Sequence, residues 1–502
     1  MQQSETAGRR QIIIDSTHYL TATIAGQGIG LIRAAIIPVL FSPSQLGVWN
    51  LLNVVLGYGS NAHVGLLDGM CKAIPFLRGE NKPEEVERIK DSVFWVNLLL
   101  GALAGGVLGI ASCVAAAGYA SGLRITAFIV FLQLVFYYLF SLLRADNRFG
   151  LISGGVAGLS VASTILVLGG ALGFQDRVCG AFIGVLASYG LIVAYWLAKS
   201  RYRFALQCRL DAILKVMGLG IPLIMLGILN TLFLSVDRWM IAAWLDETRL
   251  GYYALGFMAS NLLVLVPGSV ASVLYPRMLE SFGVDQDPRA ARSLLMGPLR
   301  ALAVLMLVLI GAAVVILPPL IRLFLPKFLP SVPVLMVLIP GAFFLSLTPI
   351  AGLYLIAINR QSWIIAVQII MTLFCLGADY GVLKTGYGVT GVAIVTTAGY
   401  SILGLSYMLM AVWQAAGRKT DMVRFLANIT FPFMVMVLVI AAMPWVVPAG
   451  AGWLDNVVSA AIRLGFMMLS LGLALWVANR DGELMAIVRL EWKHRFGSGK
   501  TV

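Results

Sequence analysis

Arg33-Ala34-Ala35-Ile36-Ile37-Pro38-Val39-Leu40-Phe41, a short turn, then Leu46-Gly47-Val48-Trp49: this stretch is nearly repeated further along the chain. The second copy is Asp237-Arg238-Trp239-Met240-Ile241-Ala242-Ala243-Trp244-Leu245, a short turn, then Leu250-Gly251-Tyr252-Tyr253. The apolar runs that follow end at Ala73-Ile74-Pro75 and at Leu274-Tyr275-Pro276. The offset is 205 positions between the arginines, 204 between the glycines and 201 between the prolines. So small a drift implies an internal repeat. Each copy also keeps an arginine inside an apolar segment.

Hydrophobic residues make up 60% of the chain and charged residues 12%, and the mean hydropathy is +0.91. An ordinary soluble domain has about a quarter of its residues charged. Apolar runs of roughly 20 residues, each long enough to cross ~30 Å of hydrocarbon, recur from end to end. The chain therefore reads as an all-α, polytopic membrane protein without a soluble domain. Repeats of this kind are the common build of secondary transporters. The five cysteines, Cys71, Cys113, Cys179, Cys208 and Cys375, have no paired spacing and read as free thiols. Arg9-Arg10 precede a long apolar run with no cleavage site, so an uncleaved first span is expected.

Fourteen spans are predicted: 12–41, 46–77, 93–117, 125–143, 151–174 and 178–197 in the first repeat, and 216–245, 251–274, 301–320, 332–358, 362–383 and 388–413 in the second. Spans 425–447 and 457–477 are an additional pair. The lobes would cover 1–209 and 210–415, with the pair and a cytoplasmic tail in 416–502. With the N-terminus in the cytoplasm, 27 of the 36 Lys and Arg fall on the inner side, six outside and three (Arg33, Arg238, Arg463) within spans. That asymmetry follows the positive-inside rule, places both termini in the cytoplasm and accounts for most of the +13 net charge without nucleic acid. Six spans per repeat is an even number, so the two halves should run parallel about an axis along the membrane normal. Pro83 to Arg88 reads as a short surface helix or a solvated connector, with Glu84 and Arg88 paired at i,i+4.

A charged side chain at depth costs several kcal/mol and usually faces a water-filled path or a partner. Arg33 and Arg238, at matching depth, could together form a cationic cleft for a diphosphate, held by guanidinium forks. They could equally snorkel to the outer interface or pair with a carboxylate, Asp237 being adjacent to Arg238. Span 2 carries Asn61, His63, Asp68 and Lys72; on a continuous helix Asn61, Asp68 and Lys72 share a face, and His63 does not. Asn61, His63, Asp68 and Asp237 are the candidates for cleft lining or ion coupling. Against this, Asp68 and Lys72 could be a simple i,i+4 pair. Asn230 and Asn261 suit interhelical hydrogen bonds. Prolines 38, 222, 267, 340 and 349 lie within spans and permit kinks. No nucleotide-binding Gly-x-x-x-x-Gly-Lys-Ser/Thr, no His-Glu-x-x-His and no Gly-x-Ser-x-Gly occurs. No catalytic residue, metal site or cofactor is assigned.

The pattern Arg33…Leu46-Gly47-Val48-Trp49-Asn50-Leu51-Leu52, then Gly65-Leu66-Leu67-Asp68-Gly69 and Ile74-Pro75 before a charged loop, resembles the polysaccharide-transporter family. So does Val236-Asp237-Arg238-Trp239-Met240-Ile241-Ala242 with Leu250-Gly251-Tyr252-Tyr253-Ala254-Leu255 and Val273-Leu274-Tyr275-Pro276-Arg277. These are Wzx-like lipid-linked oligosaccharide flippases of the multidrug/oligosaccharidyl-lipid/polysaccharide exporter superfamily. The resemblance covers about residues 10–95 and 215–300. It implies a V-shaped, MATE-like architecture of two six-helix lobes plus a C-terminal pair. It also implies transfer of an undecaprenyl-diphosphate-linked glycan across the bacterial inner membrane by alternating access. Arg33 and Arg238 match places where such proteins carry lumen charge. Coupling to H+ or Na+ would fit the family, yet spans 9 to 12 show no conspicuous carboxylate pair. A lipid-linked oligosaccharide and membrane lipids are the implied partners, with a polysaccharide polymerase and assembly proteins downstream.

Two other readings stand beside it. A lipid II flippase or multidrug exporter of the same superfamily would share the architecture. A membrane-embedded glycan polymerase or ligase should carry a sizeable outer loop with catalytic residues, which this sequence lacks. A major-facilitator carrier is disfavoured because Pro75-Phe76-Leu77-Arg78-Gly79-Glu80-Asn81-Lys82 stands where its charged inner-loop motif belongs.

Overall fold

The computed structural model describes residue 21, residues 23–446 except 203, 286 and 417, and the isolated positions 462, 465, 468 and 472. The start of the first span, the span at 457–477 and Arg463 lie outside the described residues. Every regular element among those described is helical: α1 (Thr23–Leu40), then α2 (Pro43–Gly59), α3 (Leu66–Gly79), α4 (Pro83–Val114), α5 (Ala117–Ala145), α6 (Phe149–Gly173) and α7 (Arg177–Ser200). There follow α8 (Leu210–Phe233), α9 (Val236–Trp244), α10 (Glu247–Asp285), α11 (Arg292–Phe324), α12 (Val332–Ala357), α13 (Gln361–Lys384), α14 (Gly388–Ala416) and α15 (Lys419–Val446). Twelve of the described helices are long and apolar enough to cross a membrane.

Two expected spans are broken in the middle. Span 2 is two helices, α2 and α3, neither long enough to cross alone; span 7 is α8 followed by the short α9. Two smaller corrections follow. Arg124, expected in an outer loop, lies within α5, because the α4–α5 turn comes earlier, at 115–116. Glu84 and Arg88 do pair, at 3.2 Å, but on the first turns of α4, which continues unbroken to Val114. Pro222, Pro267, Pro340 and Pro349 are carried inside continuous helices.

The chain divides into two compact units, Met1–Gly251 and Tyr252–Val502. In the first, α5 packs on α4 and α7, and α6 on α7. The end of this unit near the α3–α4 and α5–α6 turns is tied by side chains: Arg78 pairs with Asp146 and donates to the Ala145 carbonyl at 2.8 Å. Tyr202 donates to Asp146, and burial together with that carboxylate holds the phenol well above its usual range. The segment after α7 is fastened to α4, where Asp91 accepts from the Ala205 N–H (3.1 Å), Ser92 from the Arg209 N–H (3.0 Å), and Phe94 stacks on Phe204. Helix α8, which follows within the same unit, therefore starts from a segment already fastened to α4. In the second unit α12 is the buried centre, fully apolar along Val334–Leu345 apart from its backbone. Gly341 sits against Thr397 and Gly404 against the Phe344 carbonyl, so α12 and α14 touch closely. Phe433 of α15 stacks on Phe343 at 4.6 Å.

Membrane orientation can be tested directly. In a background without native cysteines, single cysteines at Ala116 and Asp246 should react with an impermeant thiol reagent from outside, and those at Asn81 and Lys419 only after permeabilisation. Asn81 and Ala116 flank one continuous helix, α4, so labelling of both from one side would overturn the spanning assignment.

Candidate functional site

Helix α2 starts where Ser42 caps it. The Ser42 hydroxyl accepts from the Gln45 N–H (3.2 Å), the Gln45 side chain accepts from the Ser42 N–H (2.9 Å), and Pro43 fills the first turn. Asp246, 204 positions later, caps α10 in the same way by accepting from the Arg249 N–H at 2.7 Å. The repeat seen in the sequence thus extends to the caps. It also has a geometric consequence, because Gly47 and Gly251 lie on helices that cross each other. A Cβ on Gly47 would fall 2.1 Å from the Glu247 carbonyl oxygen, and one on Gly251 1.7 Å from the Pro43 carbonyl oxygen. Pro43 and Glu247 each stand four residues before their own glycine. Each helix therefore presents its glycine to the first turn of the other, as a local two-fold relation requires.

Further along α2 the helix stops in a run of turn-prone and polar residues, Gly59-Ser60-Asn61-Ala62-His63-Val64-Gly65. Val64 (φ 48°) and Gly65 (φ 82°) adopt left-handed backbone before α3 resumes. Glycine is required at 65 twice over, by that conformation and because a Cβ would lie 2.7 Å from the Gly220 backbone of α8. Gly69, four residues on, meets Val216 of the same helix, with its Cβ position 2.0 Å from the carbonyl oxygen. This is close small-residue packing of α3 on α8.

The second break, at Leu234-Ser235, lies against the first. The Tyr58 and Ser235 hydroxyls are 2.7 Å apart, and since Ser235 donates to the Thr231 carbonyl (2.7 Å), Tyr58 is the donor between them. Asn61 Nδ2 donates to the Gly57 carbonyl (3.0 Å) and faces Thr231 Oγ1 at 3.4 Å. His63, buried within the first break, accepts the Gly65 N–H on Nδ1 at 3.2 Å, which places the proton of the neutral ring on Nε2. Asp68, in the first turn of α3, has His63, Lys72 and Arg144 as its ionisable neighbours. The single helical face expected for Asn61, Asp68 and Lys72 does not exist, because the break between 60 and 65 resets the phase.

Asp237 and Arg238 are both buried, at 2% and 8% exposure, in the first turn of α9. Asp237 Oδ1 accepts from the Arg238 backbone N–H at 2.7 Å and lies 3.4 Å from Nε of the same guanidinium. Arg238 Nη2 donates to the Leu234 carbonyl, one of the groups that the end of α8 leaves without a helical partner. The guanidinium therefore spans the break. Arg33 is placed otherwise: half-buried on α1, it donates from Nη1 to Ser163 of α6 at 2.9 Å and has Tyr189 of α7 nearby. The structure thus gathers Asn61, His63, Asp237 and Arg238 around the two breaks, with Asp68 just beyond, and gives Arg33 its own partners.

Tyr58, Thr231 and Ser235 were not singled out in the sequence, although a serine or threonine beside a break in an apolar span is a usable signal. Asp379, which the sequence places in span 11, is fully buried in the second unit, on the inward stripe of α13 with Gln368, Thr372 and Cys375. The five cysteines are free thiols.

The fold has known counterparts. The lipid II flippase MurJ in an inward closed conformation superposes with a TM-score of 0.69 at 16% identity, over 93% of this chain and 99% of that one. An inward-facing multidrug resistance MATE family transporter of the MOP superfamily gives 0.61 at 15% identity, over 78% and 95%. A mutant Vibrio cholerae MATE transporter gives 0.55 at 17% identity, over 84% and 99%. At such identities the likeness establishes the fold: an all-α, MATE-like, multi-pass membrane protein. No curated protein sequence matches the chain. The family model described as polysaccharide biosynthesis protein matches residues 36–333, which include both broken spans and the second copy of the repeat motif but begin just after Arg33, and which are more than half of the 502 residues. The chain belongs to that polysaccharide biosynthesis family.

Proposed function

We propose that this protein is a flippase that moves an undecaprenyl-diphosphate-linked oligosaccharide from the cytoplasmic to the outer leaflet of a bacterial inner membrane by alternating access. The observation that carries the reading is the meeting of two discontinuous helices around a buried Asp237–Arg238 pair. Broken helices are where transporters present backbone dipoles and freed polar groups to a substrate. In this reading Arg238 holds the break through the Leu234 carbonyl while the site is empty, and exchanges that contact and Asp237 for a diphosphate oxygen when substrate arrives. Guanidinium suits the task because it stays charged and matches phosphate as a fork. Arg33 supplies a second cation from α1. Binding would then loosen the α8–α9 joint, which couples recognition to helix movement. If an ion gradient of H+ or Na+ drives the cycle, Asn61, His63, Asp68, Asp237 and the buried Asp379 are the groups to carry it. A polymerase and assembly proteins would consume the product on the far side.

A second reading, a lipid II flippase, is favoured by the extent of the fold likeness to MurJ, and it shares the polyprenyl diphosphate. Family and fold both speak for a carrier over an enzyme, since a flippase changes the leaflet of its substrate and none of its bonds.

The test is reconstitution. Purified protein in liposomes containing a lipid-linked oligosaccharide on the inner leaflet should expose the sugar to an external glycosidase without ATP. Lipid II offered in parallel should be moved more slowly. New covalent products formed by the purified chain would overturn the carrier reading, and faster movement of lipid II would transfer the assignment to the second reading.

A further inference from the structure

Away from the broken helices, α4 and α5 enclose a cleft of ≈ 670 Å³, within the ~300–1,000 Å³ common for small-molecule sites. Gly101 and Gly105 bring the helices together, since their Cβ positions lie 3.2 Å from the Phe131 ring and 3.0 Å from the Ala127 carbonyl oxygen. Gly106 and Gly109 meet nothing within 4 Å, so helix packing gives no reason for glycine there. Phe128 lines the opposite wall, and Arg124 stands in the lining as its one charge.

Depth decides what fits. From Gly101 to Cys113 the cleft wall runs ~18 Å along α4, about the ~15 Å depth of one leaflet's hydrocarbon. The 29 residues of α5 span ~43 Å, so each end overhangs a ~30 Å core by ~6–7 Å. Arg124, seven residues after Ala117, lies ~10 Å down the helix. That puts its backbone ~3–4 Å inside the hydrocarbon, a depth from which the long side chain carries the guanidinium back to the headgroup boundary, at the mouth of an apolar slot. It is exposed and has no hydrogen-bond or ion-pair partner among the described residues. An arginine at that depth is favourable beside an anion that the bilayer itself brings.

We propose that the α4–α5 cleft is a binding site for an anionic phospholipid, with one acyl chain in the slot and the phosphate on Arg124. A single cation and a slot one leaflet deep fit one phosphate and one acyl chain better than a polyprenyl diphosphate, whose chain overruns the slot. The site is independent of what the protein transports.

The experiment uses the full chain in nanodiscs with a phosphatidylglycerol probe bearing a photoreactive group mid-way along one acyl chain, the labelled peptides being mapped by mass spectrometry. Labelling should concentrate on residues 101–131 and fall about tenfold in Arg124→Gln, as expected for loss of a charge-assisted contact. Gly109→Leu should remove it as well, and this variant should fold normally because the new side chain enters open space. A diacylglycerol probe with the same photoreactive chain should label weakly and ignore Arg124→Gln. Labelling no stronger than on the exposed face of α13, or unaffected by both substitutions, would overturn the site. Loss with Gly109→Leu but not with Arg124→Gln would overturn the headgroup assignment. Displacement by polyprenyl diphosphate but not by excess phosphatidylglycerol would give the cleft to the carried lipid instead and refute the proposal.

Discussion

Gly251→Ala is expected to lower the thermal stability of the purified protein sharply and to abolish the proposed glycan translocation, although it adds a single methyl group. The added carbon would sit 1.7 Å from the Pro43 carbonyl oxygen. That atom is backbone in a capped first turn, so it cannot swing aside as a side chain would. Relief comes only from separating α2 from α10, which disrupts the crossing and the helix caps near it. Overpacking of this kind costs about 1–3 kcal/mol and more where backbone must move; at the upper end that is roughly a hundredfold in the ratio of folded to unfolded protein. Gly47→Ala should behave alike, because its methyl would meet the Glu247 carbonyl at 2.1 Å. Gly268→Ala, on the same helix as Gly251 but with nothing within 4 Å, is the control and should be stable and active. The measurements are the melting temperature in detergent and export in a deletion strain. If Gly251→Ala melts and exports as Gly268→Ala does, the crossing is not a fixed contact of the working protein.

The pair of glycines also shows how much of the fold the sequence could reveal. Their spacing was visible as a repeat, since helices of one length at one register leave the same small residue at each crossing. That the two copies touch each other was not visible, because a period says nothing about contact. The breaks were hidden for a related reason. Hydropathy averages over a membrane thickness, and the run 59–65 is too short to interrupt an average that Leu56, Leu66 and Leu67 keep high. A helical wheel assumes continuity, and so it puts Asn61, Asp68 and Lys72 on one face with His63 apart, a face that the break removes. That Asp237 and Arg238 are candidates was legible, since a charge within an apolar run is costly and needs a partner, a cavity or the interface; that both are buried is settled only by packing. Their local use, a guanidinium tied to a carbonyl that the broken helix leaves open, depends on Leu234 ending α8, which no propensity marks. Asp379 was legible as a charge in a span, but only packing shows that it turns inward.

Arg238→Ala is expected to reduce both the amount of protein in the membrane and its export, whereas Arg33→Ala should reduce export with little loss of protein. The difference follows from burial and partners. Removing the Arg238 guanidinium leaves Asp237, 2% exposed, without the cation beside it, and strips the Leu234 carbonyl of a donor. Breaking a buried charge pair from one side costs about 3–5 kcal/mol. Arg33 is half-buried and bonded to a serine hydroxyl, so its loss strands no charge. Arg238→Lys should recover protein level in part, because the charge returns without the fork. The combination Asp237→Asn with Arg238→Gln then separates structure from function. It removes both charges while keeping a polar side chain at each position, a shorter one at 238, and should restore folding to within about 1 kcal/mol of the parent, since a neutral polar pair carries no stranded charge. If Arg238 serves the diphosphate, this double variant will reach the membrane at normal levels and still fail to export. If it exports normally, the arginine is only a fastener of the α8–α9 joint, and the substrate must find its positive charge elsewhere.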